Sequence, residues 1–182
     1  MRSLQTTILG LALGLVATTP ALAQRQASLE ARAGLAIPTF DIADVAKGGP
    51  AFGAGLQVPL NDRWSLLADV DLGTHEVKGA TDVDVKVNHF MAKLGYVLGR
   101  SQDGKLEVLV NLGAGLMTFG VDGADSKSYA AINAGAKVYY NFSNSIGLVI
   151  SPQGDIAFQS EDDFGASTAW VWPFSLGLRV RF

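Results

Sequence analysis

The chain has no cysteine in 182 residues, so it must hold together without disulfides. It has no excess of charge of one sign. Fourteen Lys and Arg stand against 17 Asp and Glu, which argues against a nucleic-acid-binding face. There are only two histidines, His75 and His89, and neither sits in a His-x-Ser pair. After residue 23 no apolar run approaches the ~20 residues a membrane-spanning helix needs. Mean hydropathy is nonetheless positive, at +0.24, and glycine is abundant, at 21 residues. A hydrophobic, glycine-rich chain without a spanning helix points to β structure.

The first residues are set apart from the rest. Arg2 is a positive start, Ile8 to Ala17 is a short apolar stretch, and Ala21-Leu22-Ala23 is a small-x-small site before Gln24. Together these predict a secretory signal peptide over 1–23, cleaved after Ala23. The apolar stretch is too short for an anchor. Residues 24–182 are then one domain.

That domain alternates apolar and polar residues with period two. The alternation predicts strands over Ser28–Ile37, Pro50–Leu60, Arg63–Gly73, Val85–Leu98, Lys105–Thr118, Tyr129–Phe142, Ile146–Phe158 and Ala169–Phe182. Their connections alternate in length. Asn61-Asp62, Gly99–Gly104 and Ser143–Ser145 are short; Phe40–Gly49, Thr74–Asp84, Phe119–Ser128 and Gln159–Thr168 are long. Short turns at one end and long loops at the other predict an all-β fold, an eight-stranded antiparallel up-and-down transmembrane β-barrel. Pro152 and Pro173 fall inside predicted strands, where bulges or early strand ends are expected.

Parity separates the two faces. One face carries Leu29, Leu35, Phe52, Leu72, Phe90, Leu94, Leu112, Leu116, Ile132, Ile146 and Ile150, with no charge in the strand cores. The other carries Glu30, Arg32, Asp69, Asp71, Lys93, Glu107, Lys137, Asp155, Arg179 and Arg181, interspersed with glycines such as Gly53, Gly55, Gly113 and Gly135. A soluble barrel would hide the greasy face inside; a membrane barrel would turn it out. The glycines favour the second arrangement. They make room on a crowded inner face and would only weaken a solvated outer one. Trp64, Tyr96, Tyr140, Phe142 and Phe182 fall near the short-turn ends, and Phe52, Phe158, Trp170 and Trp172 near the long-loop ends. Two aromatic girdles are the pattern of a lipid-bounded band.

The final strand gives the most specific resemblance. Trp170, Trp172, Phe174, Leu176, Leu178, Val180 and Phe182 share one face, and the chain ends on that aromatic. This resembles the C-terminal assembly signal of Gram-negative outer-membrane barrels. With the leader, strand count and length, the chain is similar to the small outer membrane protein A-like and outer membrane protein X-like barrels. The resemblance implies outer-membrane lipid around the barrel and a barrel assembly machinery that reads the last strand. It implies a monomer and no cofactor, and it says little about function.

The inward charges number five acids and five bases, so mutual pairing is expected, because unpaired charges in such a site are costly. Side-by-side first and last strands predict a Glu30–Arg181 pair. Arg179 and Arg32 would then share Asp69 and Glu107, and Lys93 and Lys137 would complete the network. This describes a plugged lumen and a structural or interaction protein whose loops set its surface role. A narrow porin-like pore is the alternative, and a lipid-modifying enzyme the third. His75 is assigned to a long loop and His89 to the lumen, both in ordinary hydrogen bonds rather than catalysis. Asp122, Asp125, Glu161, Asp162 and Asp163 lack any ordered calcium-ligand spacing, and Phe164 is a candidate surface contact.

Overall fold

The computed structural model describes residues 26–80, 83–121, 125–159 and 168–182. The signal-peptide residues with Ala21 and Ala23 lie outside the described residues, as do Asp122, Glu161, Asp162, Asp163 and Phe164.

Eight strands close on themselves: β1 Ser28–Thr39, β2 Gly49–Pro59, β3 Trp64–Glu76, β4 Asp84–Arg100, β5 Leu106–Val121, β6 Lys127–Asn141, β7 Ile146–Phe158 and β8 Thr168–Arg181. Each pairs antiparallel with its sequence neighbour, and β1 closes on β8 from Ser28↔Arg181 to Thr39↔Trp170. Phe182 extends that seam by donating its N–H to Ala27 O at 2.9 Å. A five-residue helix, α1 Asp41–Val45, lies in the β1–β2 connection.

The barrel is turned as parity predicts. Leu112 is 68% exposed and Phe52 62%, whereas Lys137 is 0% exposed and Arg32 4%. The aromatic ends are organised too. At the short-turn end Trp64 meets Tyr96 edge-on at 4.8 Å, and Tyr140 meets Phe142 at 5.5 Å. At the other end Phe40 meets Trp170 at 5.1 Å.

Three expectations are corrected. First, the strands run further into the long-loop end than their apolar faces suggest. The β5–β6 connection, 122–126, is no longer than the β4–β5 turn, 101–105. Inward alternation continues through Val87, Met117 and Phe119 after the outward greasy band has ended, and the ladder follows it. Second, this extension places His75 on β3, 1% exposed and paired with Val85, not in a loop. Third, neither Pro152 nor Pro173 makes a bulge. The β6–β7 register is the same on both sides of the rungs missing between Gly135↔Gln153 and Val138↔Ile150. The β7–β8 register is likewise the same on both sides of the gap between Pro152↔Phe174 and Asp155↔Val171. Each strand loses rungs locally while its intact neighbours hold the alignment. The register shift that does occur is between Val97 and Gly99 on β4, opposite Val108.

Candidate functional site

The lumen is the candidate site, and it is layered. Its polar floor lies at the short-turn end, where Arg179 on β8 points inward. Its Nε donates to Ser28 Oγ at 3.0 Å, its Nη1 to Glu107 Oε1 at 3.3 Å and its Nη2 to Gln57 Oε1 at 2.8 Å. The guanidinium also lies 3.8 Å from the centre of the Tyr139 ring. Glu107 offers its other oxygen to Arg100 Nε at 2.6 Å. Arg181 is only half-buried at this mouth and donates to Asn141 Oδ1.

The middle layer is a closed ion cluster. Arg32 on β1 reaches three acids: Glu30 Oε2 at 2.6 Å, Asp69 Oδ1 at 3.1 Å and Asp71 Oδ1 at 3.1 Å. Lys137 on β6 crosses to Glu30 Oε2 at 2.8 Å and Asp69 Oδ1 at 2.9 Å. Lys93 on β4 lies 2.9 Å from Asp69 Oδ2 and donates to Gln153 Oε1 at 3.0 Å. Tyr139 Oη donates to Glu30 Oε1 at 2.8 Å. Three acids meet three bases, and the formal charge cancels. Each partner is almost wholly out of solvent, which is tolerable because opposite charges lie in contact throughout, although Arg32 Nε has no acceptor.

Glycine makes this density possible. A Cβ on Gly55 would meet Asp69 Oδ1, with Arg32 Nη1 at 2.8 Å and Glu30 Oε2 at 3.0 Å. The charged side chains lie flat against the β2 backbone because nothing projects from it there.

Near the level of Asp71, His89 Nδ1 lies 2.7 Å from Asp155 Oδ2, and Asn133 Nδ2 donates to the other oxygen of Asp155. Ala36, Val87, Met91, Met117, Phe119 and Val171 form part of a buried apolar cluster toward the long-loop end. A second cluster, Leu67, Val97, Leu109, Tyr139 and Val149, packs one side of the lower lumen.

The structure therefore brings nine of the ten inward charges into buried contacts but redistributes them. Glu30 does not meet Arg181. The β1–β8 register sets Glu30 opposite Arg179 and Arg181 opposite Ser28, two rungs closer to the mouth. Glu107 serves the floor, not the middle layer. Asp155 pairs with a histidine rather than a base of the cluster. Sequence reasoning missed Tyr139, Gln57, Gln153 and the apolar inner layer. Their signal was inward parity, which all of them share with the charges.

The outward side chains of β8 from Trp170 to Val180 are half-buried or exposed, and Phe182 is 61% exposed. Trp172 folds over Gly154, where its ring stands 2.8 Å from the position of an added Cβ, and its indole donates to Thr39 Oγ1 at 3.1 Å.

The fold is shared by solved outer-membrane barrels. Neisserial surface protein A superposes with a TM-score of 0.67 at 14% identity, covering 86% of this chain and 97% of that one. OprG from Pseudomonas aeruginosa gives 0.61 at 13%, covering 85% and 95%. Ail, the attachment invasion locus protein of Yersinia pestis, gives 0.56 at 18%, covering 86% and 98%. No curated protein sequence matches. Residues 9–182 match the outer membrane protein beta-barrel domain, so this chain belongs to that family and resides in the cell outer membrane.

Proposed function

We propose that the protein is a structural and interaction barrel whose long-loop end carries its specific role and whose lumen does not conduct. The observation that carries this reading is Arg32 bound to Glu30, Asp69 and Asp71 and balanced by Lys93 and Lys137 across the bore. Long side chains locked to one another leave a water column no path through that layer. The apolar residues beyond it add a dewetted stretch. Ail, whose name speaks of attachment, has the same scaffold, and that likeness is one of fold.

The proposal extends to biogenesis. The leader is removed after Ala23, the barrel assembly machinery reads Trp170 to Phe182, and the product is a monomer bounded by outer-membrane lipid. Enzymatic chemistry does not fit the inner histidines. His89 is held by Asp155 as a base would be, but it is 1% exposed and no hydroxyl is bonded to its Nε2.

Single-channel recording of the refolded chain in planar bilayers tests the reading. The expected trace is quiet. Large steady currents from the wild type would make the protein a narrow porin. Replacing the long loops should abolish any surface binding while leaving the trace quiet.

A further inference from the structure

The short-turn mouth of the lumen opens into a polar cavity of about 270 Å³. In outer-membrane barrels the short turns face the periplasm. Arg100, Arg179 and Arg181 line the cavity, and Glu107 is the one carboxylate among the described residues that line it. In the middle layer three acids meet three bases and the charge cancels. Here three guanidiniums share one acid, an excess of two positive charges.

Glu107 is fully taken by two of the three. Its Oε2 accepts from Arg100 Nε at 2.6 Å and its Oε1 from Arg179 Nη1 at 3.3 Å. Arg181 is left over. The β1–β8 register keeps it from Glu30. Its single hydrogen bond goes to a neutral acceptor, Asn141 Oδ1, and no carboxylate among the described residues pairs with it. Arg179 and Arg100 repel it. Unlike the bases of the middle layer it is only half-buried, and its unbonded Nε and Nη1 keep access to solvent. Arg100 Nη2 is likewise without an acceptor.

Like charges gathered in a concave site raise the local potential and concentrate ions of the opposite sign there. A guanidinium offers a planar fork of N–H donors that matches the oxygens of a phosphate. The excess is two charges. A phosphate monoester carries about −1.5 to −2 near neutral pH, and a carboxylate carries one. We propose that this mouth binds a small phosphate monoester from the periplasm. Its oxygens accept from Arg181 Nε and Nη1 and from Arg100 Nη2, and Arg179 adds its charge from below. The inference holds whether or not the lumen conducts.

The test titrates the refolded barrel, in a phosphate-free maltoside detergent, with phenyl phosphate and follows binding by calorimetry. One equivalent should bind saturably, and more weakly as salt rises. Arg181→Gln should weaken binding about tenfold, the worth of one charge-assisted hydrogen bond. Gln26→Glu places a carboxylate at an exposed lining position, breaks no hydrogen bond, and should weaken binding by a similar factor. Arg63→Gln removes a charge from the same end but outside the cavity, where Arg63 donates to Tyr96 Oη at 2.6 Å, and should leave binding unchanged. Dihexanoylphosphatidylglycerol, a phosphate diester with a single negative charge, should bind less tightly than phenyl phosphate. A wild type with no saturable signal would overturn the proposal. An equal loss in Arg63→Gln would overturn it too, as diffuse surface charge, and tighter binding of the diester would make the occupant a lipid headgroup instead.

Discussion

Asp155 on β7 holds His89 on β4 across the bore, Oδ2 2.7 Å from Nδ1, although the two lie 66 positions apart in sequence. Asn133 binds the second carboxylate oxygen, so the aspartate is served from two strands. Replacing Asp155 with Ala strands a buried imidazole and a buried amide together. The variant should unfold in urea with a loss of about 1–3 kcal/mol per stranded group. A His89→Leu/Asp155→Leu double variant should recover part of that loss. Tryptophan fluorescence of the refolded barrel in vesicles reads both values.

Arg32 is the hub of the middle layer, and Arg32→Met should cost about 3–5 kcal/mol because three carboxylates lose their shared partner. The conduction consequence is more selective. Arg179→Ala with Lys93→Ala thins the floor and the middle layer, yet Met91, Met117 and Phe119 of the buried apolar cluster still line the bore beyond them. That double variant should stay quiet in planar bilayers. Adding Met117→Ala and Phe119→Ala should produce cation-selective current. Large currents from the double variant alone would show that the apolar layer is no barrier.

Gly55 should tolerate no β-carbon without rearrangement. Gly55→Val drives a branched side chain into Asp69, Arg32 and Glu30, and overpacking of this kind costs about 1–3 kcal/mol. Gly99→Ala is the control, since nothing lies within 4 Å of its added Cβ. The urea midpoint of the first should fall while that of the second stays within error.

Deleting Phe182 should lower the yield of folded barrel in cells more than Phe164→Ala does. The residue sits on the outward face and still supplies a rung through its N–H to Ala27 O. Heat-modified mobility on gels separates folded from unfolded chains. Equal yields for the two variants would make the terminal aromatic incidental.

The fold was legible because lipid leaves a simple mark. An outward face that meets only hydrocarbon must be apolar at every second residue, and Leu29 to Leu35 or Leu106 to Leu116 state it without exception. The inward charges were legible for the same reason. Their partners were not. Which base meets Glu30 depends on reach, and Lys137 and Tyr139 approach it from the far wall, more than a hundred residues along the chain. Parity places a side chain on a face but does not say how far it extends. The strand ends at the long-loop rim were misjudged for a related reason. There the outside is no longer greasy, while the inside is apolar through Val87 and Phe119, so the usual contrast is inverted. His75 was lost in that inversion.

The hydrogen bond from Phe182 to Ala27 has a topological consequence. The start and finish of the domain stand side by side at one mouth, so a short peptide could splice them and a new opening could be cut in the 143–145 turn. Such a permuted chain would keep every rung of the cylinder but would finish on a different strand. It would separate two properties that the present order fuses: carrying the β8 sequence, and being the last strand of the barrel.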